Sequence, residues 1–307
     1  MKSYTLAQLA EINEGESSLA RFAVIGNPVT HSLSPQLHQP ALDKLQQDAR
    51  YIRVEVEPGQ VSEAFEKMHA AGIQGINVTV PHKLEALEAC HEVNSAALSM
   101  GAVNTIVFDK EGNRTGFNTD GPGFARAIRE EFGVDLGDLK VIIIGAGGGA
   151  GRAIATQCVL ENCPQLILVN RTVEKIEAMK EAFLKDTPSK TLEGPRDRIA
   201  TLALDDPDLK DSLAASELII NTTSIGLKAT DPSPFPTQWV EPHHLVYDTI
   251  YNPKKTRLLR DSENQGARIA NGLSLLLHQG ALSLEYWLGE DAPLESMREG
   301  LKKALTD

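Results

Sequence analysis

The stretch Val141-Ile142-Ile143-Ile144-Gly145-Ala146-Gly147-Gly148-Gly149-Ala150-Gly151-Arg152 decides the fold. An apolar, β-branched run this short reads as a strand. The glycines end it, and a helical-period segment follows to about Leu160. Strand, glycine turn and helix in that order open a dinucleotide-binding unit. Gly145, Gly147 and Ala150 fit G-x-G-x-x-A. The first permits a tight turn, the second lets the backbone approach a pyrophosphate, and the small third allows close helix–strand packing. The helix amides and the positive end of its dipole then face phosphates. The competing reading is a glycine-rich turn that binds nothing. A second strand at Leu166–Val169 and a helix from Val173 favour the cofactor.

That second strand leads into Asn170-Arg171-Thr172, where a fold that prefers NAD would place a carboxylate on the ribose 2′-hydroxyl. No carboxylate is there. Arg171 can pair with a 2′-phosphate and Lys175 adds a second cation, so NADP is expected over NAD. Otherwise Arg171 is a solvated loop residue. Further strands are expected at Leu218–Ile220 and Leu245–Tyr247, and a largely buried helix over Leu273–Leu288.

Upstream, strands are read near Arg21–Ile25, Tyr51–Val56 and Gly75–Thr79, with helices over Pro35–Gln46 and Gln60–Ala71. Ser34 is read as the N-cap of the first helix and Pro35 as its first residue. Val103–Phe117 reads as a hairpin turning at Lys110–Asn113. The alternation makes an α/β protein with largely parallel sheets, and 307 residues suggest two domains.

Composition excludes several classes. The 30 Lys+Arg against 42 Asp+Glu give a net charge of −12 without a basic block, which disfavours nucleic acid as a partner. The longest uncharged stretch, Phe22–Leu42, holds Pro28, Pro35 and Pro40, so no membrane span is expected. Glu11, Glu14 and Glu16 stand where a secretory signal would be apolar, and a cytosolic location is expected. Cys90, Cys158 and Cys163 are too few and too irregular for a disulfide framework, and no His/Cys spacing suggests a metal.

Polar clusters follow the strands of the first third. Gly26–Pro35 (GNPVTHSLSP) follows the first and Asn77–Lys83 (NVTVPHK) ends the third. Ligands bind at the carboxyl ends of strands in open α/β sheets, so these groups suggest recognition of a small polar anion. Ser32 and Ser34 are close enough to grip one carboxylate, although capping alone accounts for Ser34. Lys83 is a surface charge by default, and Asp120, in Asn118-Thr119-Asp120-Gly121, an N-cap. A carboxylate near an ammonium can instead tune proton transfer to a substrate oxygen, as ketone reduction by hydride requires.

With Gly101–Ile106 (GAVNTI), Asn118–Gly123 (NTDGPG), Asn221–Leu227 (NTTSIGL), Tyr247–Thr256 (YDTIYNPKKT) and Asn271–Ala281 (NGLSLLLHQGA), the sequence resembles the shikimate dehydrogenase family from about Phe22 to Gly289. The resemblance implies reversible NADPH-dependent reduction of 3-dehydroshikimate to shikimate, a step towards chorismate and the aromatic amino acids. It implies Lys83 and Asp120 as the catalytic pair and Ser32 and Ser34 on the substrate carboxylate. Thr79, Asn104, Asp120 and Gln279 would contact ring hydroxyls, with Tyr251 near the substrate. On the cofactor it implies the loop Gly145, Ala146, Gly147, Gly148, Gly149 and Ala150 at the phosphates. Asn170, Arg171, Thr172 and Lys175 would hold the 2′-phosphate. Thr222, Thr223, Ser224, Ile225, Gly272 and Leu275 would lie on the nicotinamide side. His31, His82 and His278 are read as supporting or packing residues.

The domains expected are residues 1–120 plus 271–307 for substrate binding and catalysis, and residues 121–270 as a Rossmann-type, doubly wound NADP domain. The chain departs from the family's pattern in Asn271, where an acidic residue is common, in Leu275, where methionine is, and in some twenty residues before the first strand, read as a packing extension. A small-molecule substrate and a monomer or homodimer are expected. The alternatives are a quinate/shikimate dehydrogenase with relaxed cofactor use and a non-catalytic shikimate-sensing paralogue. Retention of Lys83 and Asp120 argues against the latter.

Overall fold

The computed structural model describes residues 2–186 and 198–305. They divide into two compact units, Met1–Thr119 with Leu277–Asp307, and Asp120–Leu276.

In the first unit the strands are β1 (Ser3–Thr5), β2 (Leu19–Gly26), β3 (Ala49–Glu55), β4 (Gly75–Val78), β5 (Glu92–Val93), β6 (Thr105–Phe108) and β7 (Arg114–Phe117). Its helices are α1 (Ser34–Lys44), α2 (Val61–Ala70), α3 (Lys83–Ala89) and α4 (Ser95–Met100). The sheet order is β1-β3-β2-β4-β6-β7-β5. All neighbours are parallel except β6, which runs antiparallel to β4 and β7. The hairpin read over Val103–Phe117 is therefore the β6–β7 pair, turning through Asp109, whose carboxylate accepts the Glu111 and Asn113 amides.

The N-terminal extension packs on the unit as expected, with Leu9 and Ile12 in the core, and it adds a strand of its own, since β1 pairs with β3. One expectation is corrected here. Ser34 is the first residue of α1, with Leu33 at the cap position and Pro35 second. The physical reason is that Ser32 Oγ already accepts the Ser34 amide at 3.3 Å, doing the work of a cap from two residues upstream.

In the second unit lie α5 (Asp120–Phe132), β8 (Lys140–Ile144), α6 (Gly149–Leu160), β9 (Gln165–Asn170), α7 (Val173–Asp186), β10 (Ile199–Ala203), α8 (Leu209–Ala215), β11 (Leu218–Asn221), β12 (Leu245–Asp248), α9 (Arg257–Asn264) and β13 (Arg268–Asn271). The sheet is parallel throughout, in the order β10-β9-β8-β11-β12-β13. Counted from its own first strand, that is 3-2-1-4-5-6, the doubly wound dinucleotide-binding order. Val141 and Ile143 enter one core while Ile142 and Ile144 enter the other. The unbroken apolar run in β8 follows from this burial on both faces.

α10 (Leu273–Leu288) and α11 (Leu294–Ala304) close the chain. From Leu277 onward α10 belongs to the first unit, where the Trp287 indole donates to the Ile106 carbonyl at 2.9 Å. His38 of α1 is fully buried, stacked on Tyr51 with ring centroids 4.4 Å apart. Its ring nitrogens meet the Ser34 and Gly280 carbonyls at 2.8 and 3.1 Å.

Burial drives the His38 pKa down to about 4, against the upward pull of the two carbonyls. The unfolded chain takes up this proton near pH 6.5 and the folded chain only near 4. Stability from the neutral ring is therefore complete above about pH 6.5 and is lost as pH falls towards 4, a change of roughly 3 kcal/mol. The urea midpoint should fall across that window, and His38→Gln should flatten the decline. Identical slopes in both proteins would rule out His38 as its source.

Candidate active site

The first unit gathers its polar groups at the carboxyl ends of β2 and β4. The β2 loop ends in Ser32 and Ser34, whose hydroxyls are 3.1 Å apart. Ser34 is 7% exposed and makes no helix-cap bond, so the capping explanation for its hydroxyl falls away. Thr79 follows β4, its amide bound to the Ile25 carbonyl at 2.9 Å, and Asn27 N bonds the Val80 carbonyl at 3.1 Å. These two bonds tie the loops together.

Lys83 begins α3, half-buried. Its carbonyl accepts the Val103 amide at 3.0 Å, which anchors the helix start to the segment carrying Asn104. His82 is buried, with Nε2 2.7 Å from the Val56 carbonyl, while His31 is exposed. Asn104 Oδ1 accepts from Thr105 Oγ1 (3.0 Å), Thr119 N (2.8 Å) and Thr119 Oγ1 (3.1 Å). The residue after Thr119 is Asp120, the first of α5.

Beneath these residues runs a buried network that the sequence alone does not reveal. Tyr51 Oη donates to Asn77 Oδ1 (2.7 Å), Asn77 Nδ2 to Ser283 Oγ (2.8 Å), and Ser283 Oγ lies 2.8 Å from Thr105 Oγ1. Ser283 also bonds the carbonyl of Gln279 at 3.0 Å. Asn104, through Thr105, and the Gln279 backbone carbonyl, through Ser283, thus join one set of satisfied polar groups, an arrangement that fixes the Asn77, Thr105 and Ser283 rotamers. Burial pushes the Tyr51 hydroxyl well up, with Ser34 and Arg53 pulling the other way, so it stays a neutral donor. Asn77 lay within a quoted motif; Tyr51 and Ser283 had no local signal.

In the second unit the glycine loop joins β8 to α6 at the point where strand order reverses. Gly145 has φ +90°, and a Cβ there would stand 2.6 Å from Thr223 Cγ2. A Cβ on Gly147 would strike Asn170 Nδ2 at 2.8 Å. A close approach of the helix to the glycine turn also falls on Gly151, where a Cβ would be 2.7 Å from the Gly145 carbonyl. Gly148 caps α6, and Gly148 and Gly149 are exposed, with Ala146 buried beneath them and Ala150 half-buried. Exposed amides at the start of a twelve-residue helix, over a turn that excludes side chains, fit a pyrophosphate.

At the end of β9, Asn170 Nδ2 donates to the Thr172 carbonyl at 2.9 Å, folding the turn so that Arg171, Thr172 and Lys175 are all exposed. This donor set fits the extra phosphate of NADP. After β11, Thr222 Oγ1 donates to the Ile144 carbonyl at 3.0 Å and Thr223 Oγ1 to Asn221 Oδ1 at 2.7 Å. Ile225 N then bonds Thr223 Oγ1, and Ser224 lies within this closed turn. Asn221 Nδ2 passes the order on to Asp248, a fully buried carboxylate that also accepts Ile250 N and Thr256 Oγ1. Burial raises the Asp248 pKa, and these three donors oppose it.

Tyr251 is half-buried, and burial raises its hydroxyl pKa. Gly272 packs directly on the Thr249 carbonyl, and Asn271 Oδ1 accepts the Leu273 amide at 3.0 Å, opening α10. A neutral Asn thus fills the position where an acid is common. Leu275 N bonds Tyr247 Oη at 3.1 Å. Among the described residues no group of three or more His, Cys, Asp or Glu could hold a metal ion, and no helix is long and apolar enough to cross a membrane.

Known proteins resemble this chain in sequence and in fold. The shikimate dehydrogenase substrate binding domain matches residues 24–106, and the shikimate 5'-dehydrogenase C-terminal domain residues 272–302. A solved shikimate dehydrogenase in complex with NADP+ superposes with TM-score 0.85 at 32% identity, over 94% of this chain and 96% of that one. The Thermus thermophilus shikimate 5-dehydrogenase in complex with NADP(H) and shikimate gives 0.81 at 31%, over 93% and 100%. Shikimate dehydrogenase (NADP(+)) of Geobacillus kaustophilus is 38% identical over 285 residues, 92% of this chain and 98% of its own. Likeness of that degree across both units, in fold as in sequence, makes this chain a member of the shikimate dehydrogenase family.

Proposed function

We propose that the protein catalyses the reversible NADPH-dependent reduction of 3-dehydroshikimate to shikimate. The observation that carries this is the likeness to an NADP(+) shikimate dehydrogenase over 98% of that enzyme's length. The first unit, Met1–Thr119 with Leu277–Asp307, binds substrate, and the second, Asp120–Leu276, binds NADP. NADPH, when bound, supplies the hydride. Ser32 and Ser34 hold the carboxylate; Thr79, Asn104, Asp120 and Gln279 hold ring hydroxyls, with Tyr251 beside them. Gly145 to Ala150 take the pyrophosphate. Asn170, Arg171, Thr172 and Lys175 take the 2′-phosphate, and Thr222 to Ile225, Gly272 and Leu275 the nicotinamide side.

Reduction of a ketone leaves an alkoxide that must gain a proton. Lys83 Nζ gives it, with Asp120 as the other member of the catalytic pair, and the reverse reaction returns it. The protein works in the cytosol as a monomer or homodimer on a small-molecule substrate. Steady-state rates with shikimate and quinate, each with NADP+ and NAD+, test the reading. Shikimate with NADP+ should give the highest kcat/KM. A higher value for quinate with NAD+ favours a quinate/shikimate dehydrogenase, and no turnover with any pair favours a binding protein.

A further inference from the structure

At the amino ends of β2 and β4, opposite the loops that carry Ser32, Ser34 and Thr79, the first unit holds a cavity of about 310 Å³. Its walls include Arg21, His69, Ile73, Phe108, Lys110 and Trp287. Arg21 stands at an irregularity in the sheet. Ala20 pairs with Arg50 of β3 and Phe22 with Tyr51, so Arg21 is an extra residue, a β-bulge in a strand with a neighbour on each side. Bulges re-aim a side chain and are over-represented beside active sites. Here Nη1 donates to the Gly72 carbonyl at 3.2 Å. Gly72 has φ +86°, and a Cβ there would crowd Nη1 at 3.3 Å. Neither Arg21 nor Lys110 meets a carboxylate among the described residues. Asp109, the one acid on the wall, is committed to its own turn, where it accepts the Glu111 and Asn113 amides and Asn113 Nδ2. Two cations therefore stand against one anion that is already hydrogen-bonded.

The rest of the wall is largely aromatic and apolar. The Trp287 indole stacks on Phe22 with ring centroids 5.0 Å apart and packs against Gly75, where a Cβ would strike it. His69 lies against Phe108, centroids 5.5 Å apart, with Gly112 so close that a Cβ there would stand 2.9 Å from the imidazole. Rings seated in this way make a preformed slot. A guanidinium fork matches a carboxylate through two parallel bonds, and aromatic walls take a flat apolar body. A cavity of about 150 Å³ suffices for benzene, so this one has room for a single ring with a short acid side chain. We propose that it is a second ligand site, for a small aromatic carboxylate whose acid group is held by Arg21 with Lys110 beside it. The inference is independent of which reaction the chain catalyses, and an occupant here leaves the carboxyl ends of the strands open.

The test is calorimetric titration of the full chain with 3-phenylpropionate, and with 3-phenylpropionamide as its uncharged counterpart, in the presence and absence of shikimate. The acid should bind with a Kd of about 1 mM or tighter, and saturating shikimate should leave that Kd within about threefold. The amide should bind at least about tenfold more weakly, because it cannot form the charge-assisted pair. Arg21→Gln should weaken the acid by about tenfold or more, and Lys110→Gln, which removes an exposed charge, by about two- to threefold. Both variants should keep kcat/KM for shikimate near that of wild type. Absence of binding up to about 10 mM overturns the site, as does equal affinity for acid and amide, or an Arg21→Gln protein that binds the acid like wild type. Displacement of the acid by shikimate places it in the catalytic site and overturns the proposal as well. Should Arg21→Gln not fold, Trp239→Phe still decides, since it leaves Trp287 as the only tryptophan. The acid should then shift the Trp287 emission at saturation, and an unchanged spectrum overturns the site.

Discussion

Lys83→Met is expected to lower kcat by about 10²–10⁴-fold, the usual contribution of a positioned general acid, while KM for NADP+ stays within about twofold. The fold should tolerate the change, because several bonds that anchor the start of α3 do not use the lysine ammonium. The Lys83 carbonyl takes the Val103 amide, His82 Nε2 meets the Val56 carbonyl, and the Glu85 carboxylate accepts the Gly59 and Val61 amides. Methionine keeps the unbranched stem and removes only the charged, proton-bearing end. Lys83→Arg separates two ways the lysine could act. Arginine keeps the positive charge and does not release a proton at working pH. If Lys83 is the proton donor, the Arg variant should remain as slow as Met; if it only stabilises the alkoxide, Arg should recover most of the rate. A kcat for Lys83→Met within a few-fold of wild type removes Lys83 from the chemistry.

The second unit was largely legible in the sequence because its physics is local. A strand buried on both faces must be apolar at every position, and Val141 to Ile144 are. The glycine turn and the Asn-Arg-Thr end of β9 carry their information within a few residues. The first unit was legible only in its longer elements. β1 and β5 span three and two residues, and α3 and α4 seven and six, too short for any periodicity.

The site divides in the same way. Ser32, Ser34, Lys83 and Asp120 stand in motifs, whereas the groups that orient them come from far along the chain. Asn77 meets Ser283 across 206 residues, and Arg53 reaches Ser32 across 21. A buried tyrosine or arginine on a strand has no local pattern to mark it, since its role is set by what folding brings opposite. The misread cap of α1 has a similar cause. Ser-Pro at a helix start is an N-cap signal by statistics, and the hydroxyl of Ser32, two residues upstream, displaced it.

Arg171→Ala should raise KM for NADP+ by about 10–100-fold and change KM for NAD+ by less than about threefold, since charge-assisted bonds to a phosphate are the strong ones. The argument runs from the turn after β9. The Asn170 side chain also donates to the Thr172 carbonyl and abuts Gly147, so it shapes the loop as well. Arg171 and Lys175 are exposed beside it, free of the carboxylate that an NAD-preferring strand end would carry there. A 2′-phosphate brings nearly two negative charges to this point, and NAD brings none, so only the NADP+ constant should feel the loss. Lys175→Ala, a turn further along α7, should act in the same direction and more weakly. Both effects should shrink as salt rises from about 0.05 to about 0.5 M, because solvent-exposed charges are screened over a few ångströms at that strength. Equal changes in the two cofactor constants would mean that Arg171 serves the loop and not the phosphate, and the NADP preference would then have to reside elsewhere in the second unit.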